Sequence, residues 1–82
     1  MQKNNVMFLD KLKVGQTAKV VRILIDNLKQ KKRFFDMGLT TGVVVKMKKV
    51  APLGDPISIE LRGYELCVRK QEVKDVEVEI IL

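Results

Sequence analysis

The sequence lacks the residue types on which most enzyme and metal sites depend. None of the 82 residues is histidine, which removes the commonest general base and the commonest transition-metal ligand. Cysteine occurs only at Cys67, so neither an internal disulfide nor a closed thiolate site can form, which fits a reducing compartment. Ser58 is the only serine, and its place between two isoleucines predicts an outward strand residue, not a nucleophile. We therefore expect no catalytic residue and no enzyme.

Phosphate-binding and cation-binding motifs are missing too. Gly38, Gly42 and Gly54 are too widely spaced for a nucleotide loop. The aspartates are scattered singly, whereas hard cations need several oxygen ligands together. The sequence predicts no cofactor and no metal-ligating residue.

Long hydrophobic runs are also absent. No apolar stretch approaches the ~18 residues of a membrane-spanning helix, and residues 1–7 contain no apolar core of signal-peptide length. We expect a cytoplasmic protein with a loose N-terminal tail at 1–7 and a single domain at 8–82.

Basic residues outnumber acidic ones, with 16 Lys and Arg against 10 Asp and Glu and a net charge of +6. They concentrate at 29–33 and 46–49, which favours an acidic partner: nucleic acid, anionic lipid or an acidic protein face. Alternatively, these lysines only keep a small domain soluble. Aromatic residues are few, and Tyr64 is the one natural base-stacking candidate. A small basic barrel that binds nucleic acid is therefore the alternative function, and its binding would fall steeply with salt.

The residues that are present favour a small β-barrel. Val- and Ile-rich or alternating segments predict strands at 17–24, from 43 onward, at 57–62, around 66–68 and at 76–80. The alternation at 17–24 is imperfect, which a β-bulge would explain. Closure into a barrel removes exposed edges from such short strands. We predict a mainly β fold: a small five-stranded barrel with one short helix between strands 1 and 2.

The inserted helix is predicted over 28–37. Asn27 and Gln30 have the spacing of a capping box at its start. At its end, Gly38 suits the left-handed residue that stops a helix, and Leu39 would then pack back onto an apolar residue of the last turn. Its apolar side is predicted to consist of Leu28, Phe34, Phe35 and Met37.

Three stretches, together with the spacing Leu9-x-x-Leu12-x-x-Gly15, resemble the FeoA family, the small cytoplasmic partners of the FeoB ferrous-iron transporter. The stretches are Arg33-Phe34-Phe35-Asp36-Met37-Gly38-Leu39-Thr40-x-Gly42, Ala51-Pro52-Leu53-Gly54-Asp55-Pro56 and Arg62-Gly63-Tyr64-Glu65-Leu66. The likeness extends from about residue 8 to 81. It implies an SH3-like barrel and a non-enzymatic accessory role in ferrous-iron uptake. It also implies contact with the cytosolic GTPase side of a FeoB-like membrane transporter.

The candidate partner surface combines the basic helix, the turn that follows it and the proline-rich loop. Its members are Lys31, Lys32, Arg33, Met37, Leu39, Pro52, Leu53, Gly54, Asp55 and Pro56. Gly38 and Gly42 are assigned to the structural turn between helix and barrel. Through its partner the protein is expected at the inner membrane face, where the lysines would also favour an anionic membrane surface. The same fold forms the C-terminal module of metal-dependent repressors, but a chain of this length leaves no room for their DNA-binding domain, so a free-standing repressor is not expected.

Overall fold

All strands of the fold pair antiparallel in one six-stranded sheet. The computed structural model describes residues 6–81. The strands are β1 (Val6–Phe8), β2 (Thr17–Ile23), β3 (Val44–Val50), β4 (Ile57–Leu61), β5 (Tyr64–Val68) and β6 (Val76–Ile81). Helix α1 spans Leu28–Asp36, helix α2 spans Lys70–Val73, and a 3-10 turn spans Leu9–Lys11. The order across the sheet is β1-β6-β2-β3-β4-β5. The mainly β class and the helix after the first long strand are confirmed.

One strand was not predicted from the sequence. Val6 and Met7 fall within the segment expected to be a tail, yet they form β1 with Phe8 and pair with β6, from Val6↔Glu79 to Phe8↔Glu77. The rest of that tail, residues 1–5, lies outside the described residues. A three-residue strand carries too little alternation to be recognised, since its pairing depends on residues at the far end of the chain.

A single hydrophobic core lies at the centre of the domain. It contains buried side chains from strands β2 to β6, from both helices and from the 3-10 turn. The irregularity expected in β2 lies between Val20 and Arg22, where the register against β6 shifts. The bulge lets β2 place apolar residues inward on both sides of the shift.

Ser58 lies on the face of β4 opposite the core residues Ile57 and Ile59, as alternation predicts, but it is buried on that face. It is 5% exposed, between the buried Ile57 and Ile59 of β4. Its hydroxyl donates a hydrogen bond to Glu65 on the neighbouring strand β5, so the buried polar group is satisfied. The direction of the side chain was predicted correctly, but its burial was not, because alternation alone does not show that this strand is covered on both faces.

Candidate functional site

Helix α1 ends in a hydrogen-bonded Schellman motif built around Gly38. Gly38 has φ +90°. Its amide donates to the Phe35 carbonyl at 3.0 Å, and the Leu39 amide donates to the Phe34 carbonyl at 2.9 Å. Phe34 and Leu39 are both fully buried in the core. The motif therefore satisfies two terminal carbonyls and fixes the end of α1 onto the core.

The β4–β5 hairpin lies directly against this helix end. Leu61 pairs with Tyr64, so Arg62 and Gly63 form a two-residue turn, with φ of +50° and +85°. Positive φ at both positions is typical of a type I′ hairpin. A Cβ atom on Gly38 would lie 2.9 Å from Tyr64 Oη and 3.2 Å from Arg62 Cδ. Two of the stretches that carry the family resemblance thus meet in space.

The outer face of α1 is more apolar than its sequence suggested. Phe34 is fully buried, but Leu28 and Phe35, which were predicted to face the barrel, are 80% and 68% exposed. Adjacent helical residues point about 100° apart, so Phe34 and Phe35 cannot both face the core. Leu28 and Phe35, seven positions apart, return to the same line on the helix. The seven-residue spacing of Leu28 and Phe35 was visible in the sequence and could have shown that they share a face different from that of Phe34.

Charged groups surround this outer face unevenly. Lys32 forms an ion pair with Asp36 at 3.3 Å, and both groups are exposed. Lys29 and Lys31 have no ion-pair partner among residues 6–81. The outer face therefore offers uncompensated positive charge beside exposed apolar groups.

The proline-rich loop presents one apolar side chain from a fixed backbone. The Gly54 amide donates to the Ala51 carbonyl at 2.7 Å, and the Ala51 amide donates to the Pro56 carbonyl at 3.0 Å. The Asp55–Pro56 peptide bond is cis. At the tip, Leu53 is 97% exposed. The loop thus holds a leucine in solvent although its own backbone is tied at both ends.

Asp55 fastens this loop to helix α2. One carboxylate oxygen accepts a hydrogen bond from the Lys70 amide at 2.8 Å. The other lies 3.7 Å from the Arg69 guanidinium. An acidic group is favourable there, because the first amides of a helix have no partner within it.

A second carboxylate joins α2 to α1. The Glu72 carboxylate accepts two hydrogen bonds, one from the Arg69 backbone amide at 2.9 Å and one from the Arg33 guanidinium at 2.9 Å. The Arg69 amide, followed by the Arg33 side chain, holds the pKa of the Glu72 carboxyl below its ordinary value. Helix α1, helix α2 and the loop are therefore connected by charged contacts through Arg33, Glu72, Arg69 and Asp55.

The structure separates the predicted contact residues into exposed and buried groups. Those exposed to solvent are Lys31, Lys32, Arg33, Pro52, Leu53 and Pro56. Met37, Gly54 and Asp55 are half-buried. Leu39 is fully buried and must be removed from the surface, because its position after Gly38 turns it into the core. Gly42 has φ +95°, as a structural turn requires.

Potentially reactive groups are sparse in the part of the chain that the structure describes. Cys67 is a free, exposed thiol. Across residues 6–81, no group of three or more His, Cys, Asp or Glu side chains is placed to hold a metal ion. Neither helix in that range is long and apolar enough to cross a membrane.

Comparison with protein families gives the assignment. The sequence pattern of the FeoA domain matches residues 7–80. The chain belongs to the FeoA family. Among solved structures, an FeoA-like protein from Clostridium acetobutylicum is 36% identical, with a TM-score of 0.84 over 100% of this chain and 92% of that one.

Two further FeoA relatives extend the comparison. The zinc-complexed FeoA of Stenotrophomonas maltophilia, described as a procaryotic SH3 domain protein, is 28% identical with a TM-score of 0.74, covering 89% of each chain. The expected SH3-like fold is thereby confirmed. A Porphyromonas gingivalis (strain ATCC BAA-308 / W83) protein described as an Fe(2+) transport protein A/Fe(2+) transporter FeoB fusion protein is 31% identical over 75 residues. That match covers 92% of this chain but only 9% of the fusion protein.

Proposed function

We propose that this FeoA domain is a non-enzymatic accessory protein of ferrous-iron uptake that binds a FeoB-like membrane transporter. The observation that carries the proposal is the Porphyromonas gingivalis relative, in which Fe(2+) transport protein A and transporter FeoB form one chain. Covalent linkage raises the effective concentration of one part at the other, which is useful when the two parts work in contact. This chain would make the same contact without the covalent link.

The contact is proposed to lie on the cytosolic GTPase side of the transporter, with Leu53 as its apolar anchor. Leu53 is 97% exposed on a loop whose backbone hydrogen bonds and Asp55 contacts already fix its shape. A pre-organised apolar tip loses little conformational entropy on binding. The exposed basic residues of α1 would add complementarity to an acidic partner face. In this proposal the protein works in the cytoplasm and reaches the inner membrane face through its partner.

Co-purification with a FeoB-like transporter, at low and at physiological salt, tests the accessory role. We expect the wild-type chain to be retained and Leu53→Ser to bind about tenfold more weakly, because the change removes a buried anchor from the interface. Val14→Ser is the matched control, since Val14 is another exposed apolar residue outside the candidate surface, and it should bind like wild type. Absence of retention at both salt concentrations would overturn the proposal.

The isolated cytosolic GTPase domain of the transporter tests the finer contact. Calorimetric titration should give binding to this domain, and Leu53→Ser should weaken it as much as it weakens binding to the full transporter. Binding to the full transporter without binding to the isolated domain would leave the accessory role standing and refute the GTPase-side contact.

A further inference from the structure

We infer that the outer face of α1 binds directly to the surface of an anionic lipid bilayer. Leu28 and Phe35 are the apolar contacts on this face, and they are 80% and 68% exposed. They lie almost on one line, about 10 Å apart along the helix axis. Phe34, about 100° around the helix from Phe35, is fully buried in the core. The helix thus has two apolar faces, of which the barrel covers one.

Lysines beside this apolar ridge provide the charge complementarity. Lys29, Lys31 and Lys32 are all exposed, and the first two have no ion-pair partner within the described part of the chain. The pair between Lys32 and Asp36 is solvent-exposed, so it competes weakly with an anionic surface. Lysine stems can lie along a membrane interface while their ammonium groups reach phosphate. Leucine, phenylalanine and lysine in this arrangement are typical of helices that lie in the interfacial plane.

The shape of the ridge favours a bilayer over a folded acidic protein. Leu28 and Phe35 both project into solvent, and a fluid interface can take up such side chains without a matching groove. The helix is already held in place by Phe34 and by the hydrogen bonds around Gly38, so binding does not require it to fold. With two apolar side chains and three lysines, the association should be weak and reversible. It requires no transporter, so its failure and the failure of the accessory role are distinguishable.

A single tryptophan reports insertion of the ridge. The natural chain contains none, so Phe35→Trp places the only indole on the ridge, and Leu53→Trp places it on the loop as a control. Each variant is mixed with vesicles of phosphatidylcholine alone or of phosphatidylcholine with phosphatidylglycerol. We expect the emission of Phe35→Trp to shift to shorter wavelength with the anionic vesicles only, and that of Leu53→Trp to stay unchanged. An equal shift in both variants, or no shift in Phe35→Trp, would overturn the proposal.

Matched charge variants separate the helix from general basicity. Sedimentation with anionic vesicles compares the triple variant Lys29→Gln/Lys31→Gln/Lys32→Gln with Lys46→Gln/Lys48→Gln/Lys49→Gln on β3, which loses the same charge. The helix variant should lose at least about tenfold in partitioning and the β3 variant no more than about twofold. The reason is that only lysines close to the membrane surface contribute fully to binding. Leu28→Ser/Phe35→Ser should lose about tenfold as well, with its circular dichroism unchanged.

Equal losses in the two lysine variants would overturn the proposal by assigning the binding to net charge alone. The proposal would also be overturned if the wild-type chain did not bind anionic vesicles at low salt. If that chain instead binds single-stranded DNA or an acidic polypeptide through the same lysines, α1 serves another acidic macromolecule and the bilayer assignment is wrong.

Discussion

At the scale of single residues, Gly38 meets two separate constraints. Its φ of +90° belongs to a region that residues with a Cβ rarely adopt, and the space that a Cβ would fill is occupied by Tyr64 Oη at 2.9 Å. Gly42 meets only the first constraint, since its φ is +95° and nothing lies within 4 Å of a Cβ there. The two glycines therefore form a natural pair for separating backbone strain from steric conflict.

Gly38→Ala should be more destabilising than Gly42→Ala. We expect Gly42→Ala to lower the free energy of unfolding by about 1 kcal/mol through strain at positive φ. Gly38→Ala should add a further cost of up to ~1 kcal/mol, because the partly exposed Tyr64 must move aside. Urea unfolding measures both, and Tyr64→Ala combined with Gly38→Ala should remove the extra term. Equal losses of unfolding free energy for the two single variants would show that the Tyr64 and Arg62 side chains move aside without an energetic penalty.

Glu72 makes a pH-dependent contribution to stability. Its pKa is lowered in the folded protein, first by the Arg69 amide and then by Arg33. A carboxyl with a lower pKa in the folded than in the unfolded state stabilises the fold above its ordinary pKa. That contribution is lost as the pH falls toward the folded-state pKa.

Glu72→Gln should accordingly reduce stability at neutral pH by less than ~1 kcal/mol and make no difference in acid. The urea midpoints of the wild type and of Glu72→Gln, measured between about pH 7 and about pH 3, would show whether their difference disappears in acid. Glu79→Gln is the control, because Glu79 is exposed and forms no ion pair with any residue from 6 to 81. A Glu72→Gln deficit that persists unchanged in acid would contradict the charge-based explanation.

At the scale of the element, α1 depends on tertiary packing, because a nine-residue helix is too short to be stable alone. Its two ends were predictable from local chemistry. At the start, the Asn27 side chain accepts a hydrogen bond from the Gln30 backbone amide at 3.0 Å, and Gly38 ends the helix. Its orientation was not predicted correctly, because apolar residues were counted without their angular positions. Strand β1 was missed for a different reason, since its pairing with β6 is long-range.

The neighbouring phenylalanines of α1 should differ sharply when truncated. We expect Phe34→Ala to cost about 3–5 kcal/mol, because it leaves a cavity in the core. Phe35→Ala should change the unfolding free energy by no more than ~0.5 kcal/mol, since its side chain is 68% exposed. Thermal melts followed by circular dichroism would compare them, with Phe34→Leu as a milder change if Phe34→Ala does not fold. Similar losses at both positions would refute this orientation of α1.

At the scale of the whole molecule, the sequence indicated the fold class more completely than the contact surface. Alternating residues such as Val43, Val45 and Met47 are buried as their period predicts. Exposure on the candidate surface is less regular: Leu39 turns into the core directly after Gly38, whereas Leu53 projects from a loop that the distant contacts of Asp55 tie to α2. Local pattern carries no information on such contacts. Nucleic-acid binding remains an alternative prediction, to be tested by titration at low salt.

The pairing of β1 with β6 has a consequence for how this domain can be joined to other proteins. Val6 at the start of β1 lies opposite Glu79, two residues before β6 ends at Ile81. The two ends of the described chain, residues 6 and 81, therefore lie at one pole of the domain. A tether attached on either side would start from the same place, so the order in which the module is fused to a larger protein would hardly change how its helix and loop are presented.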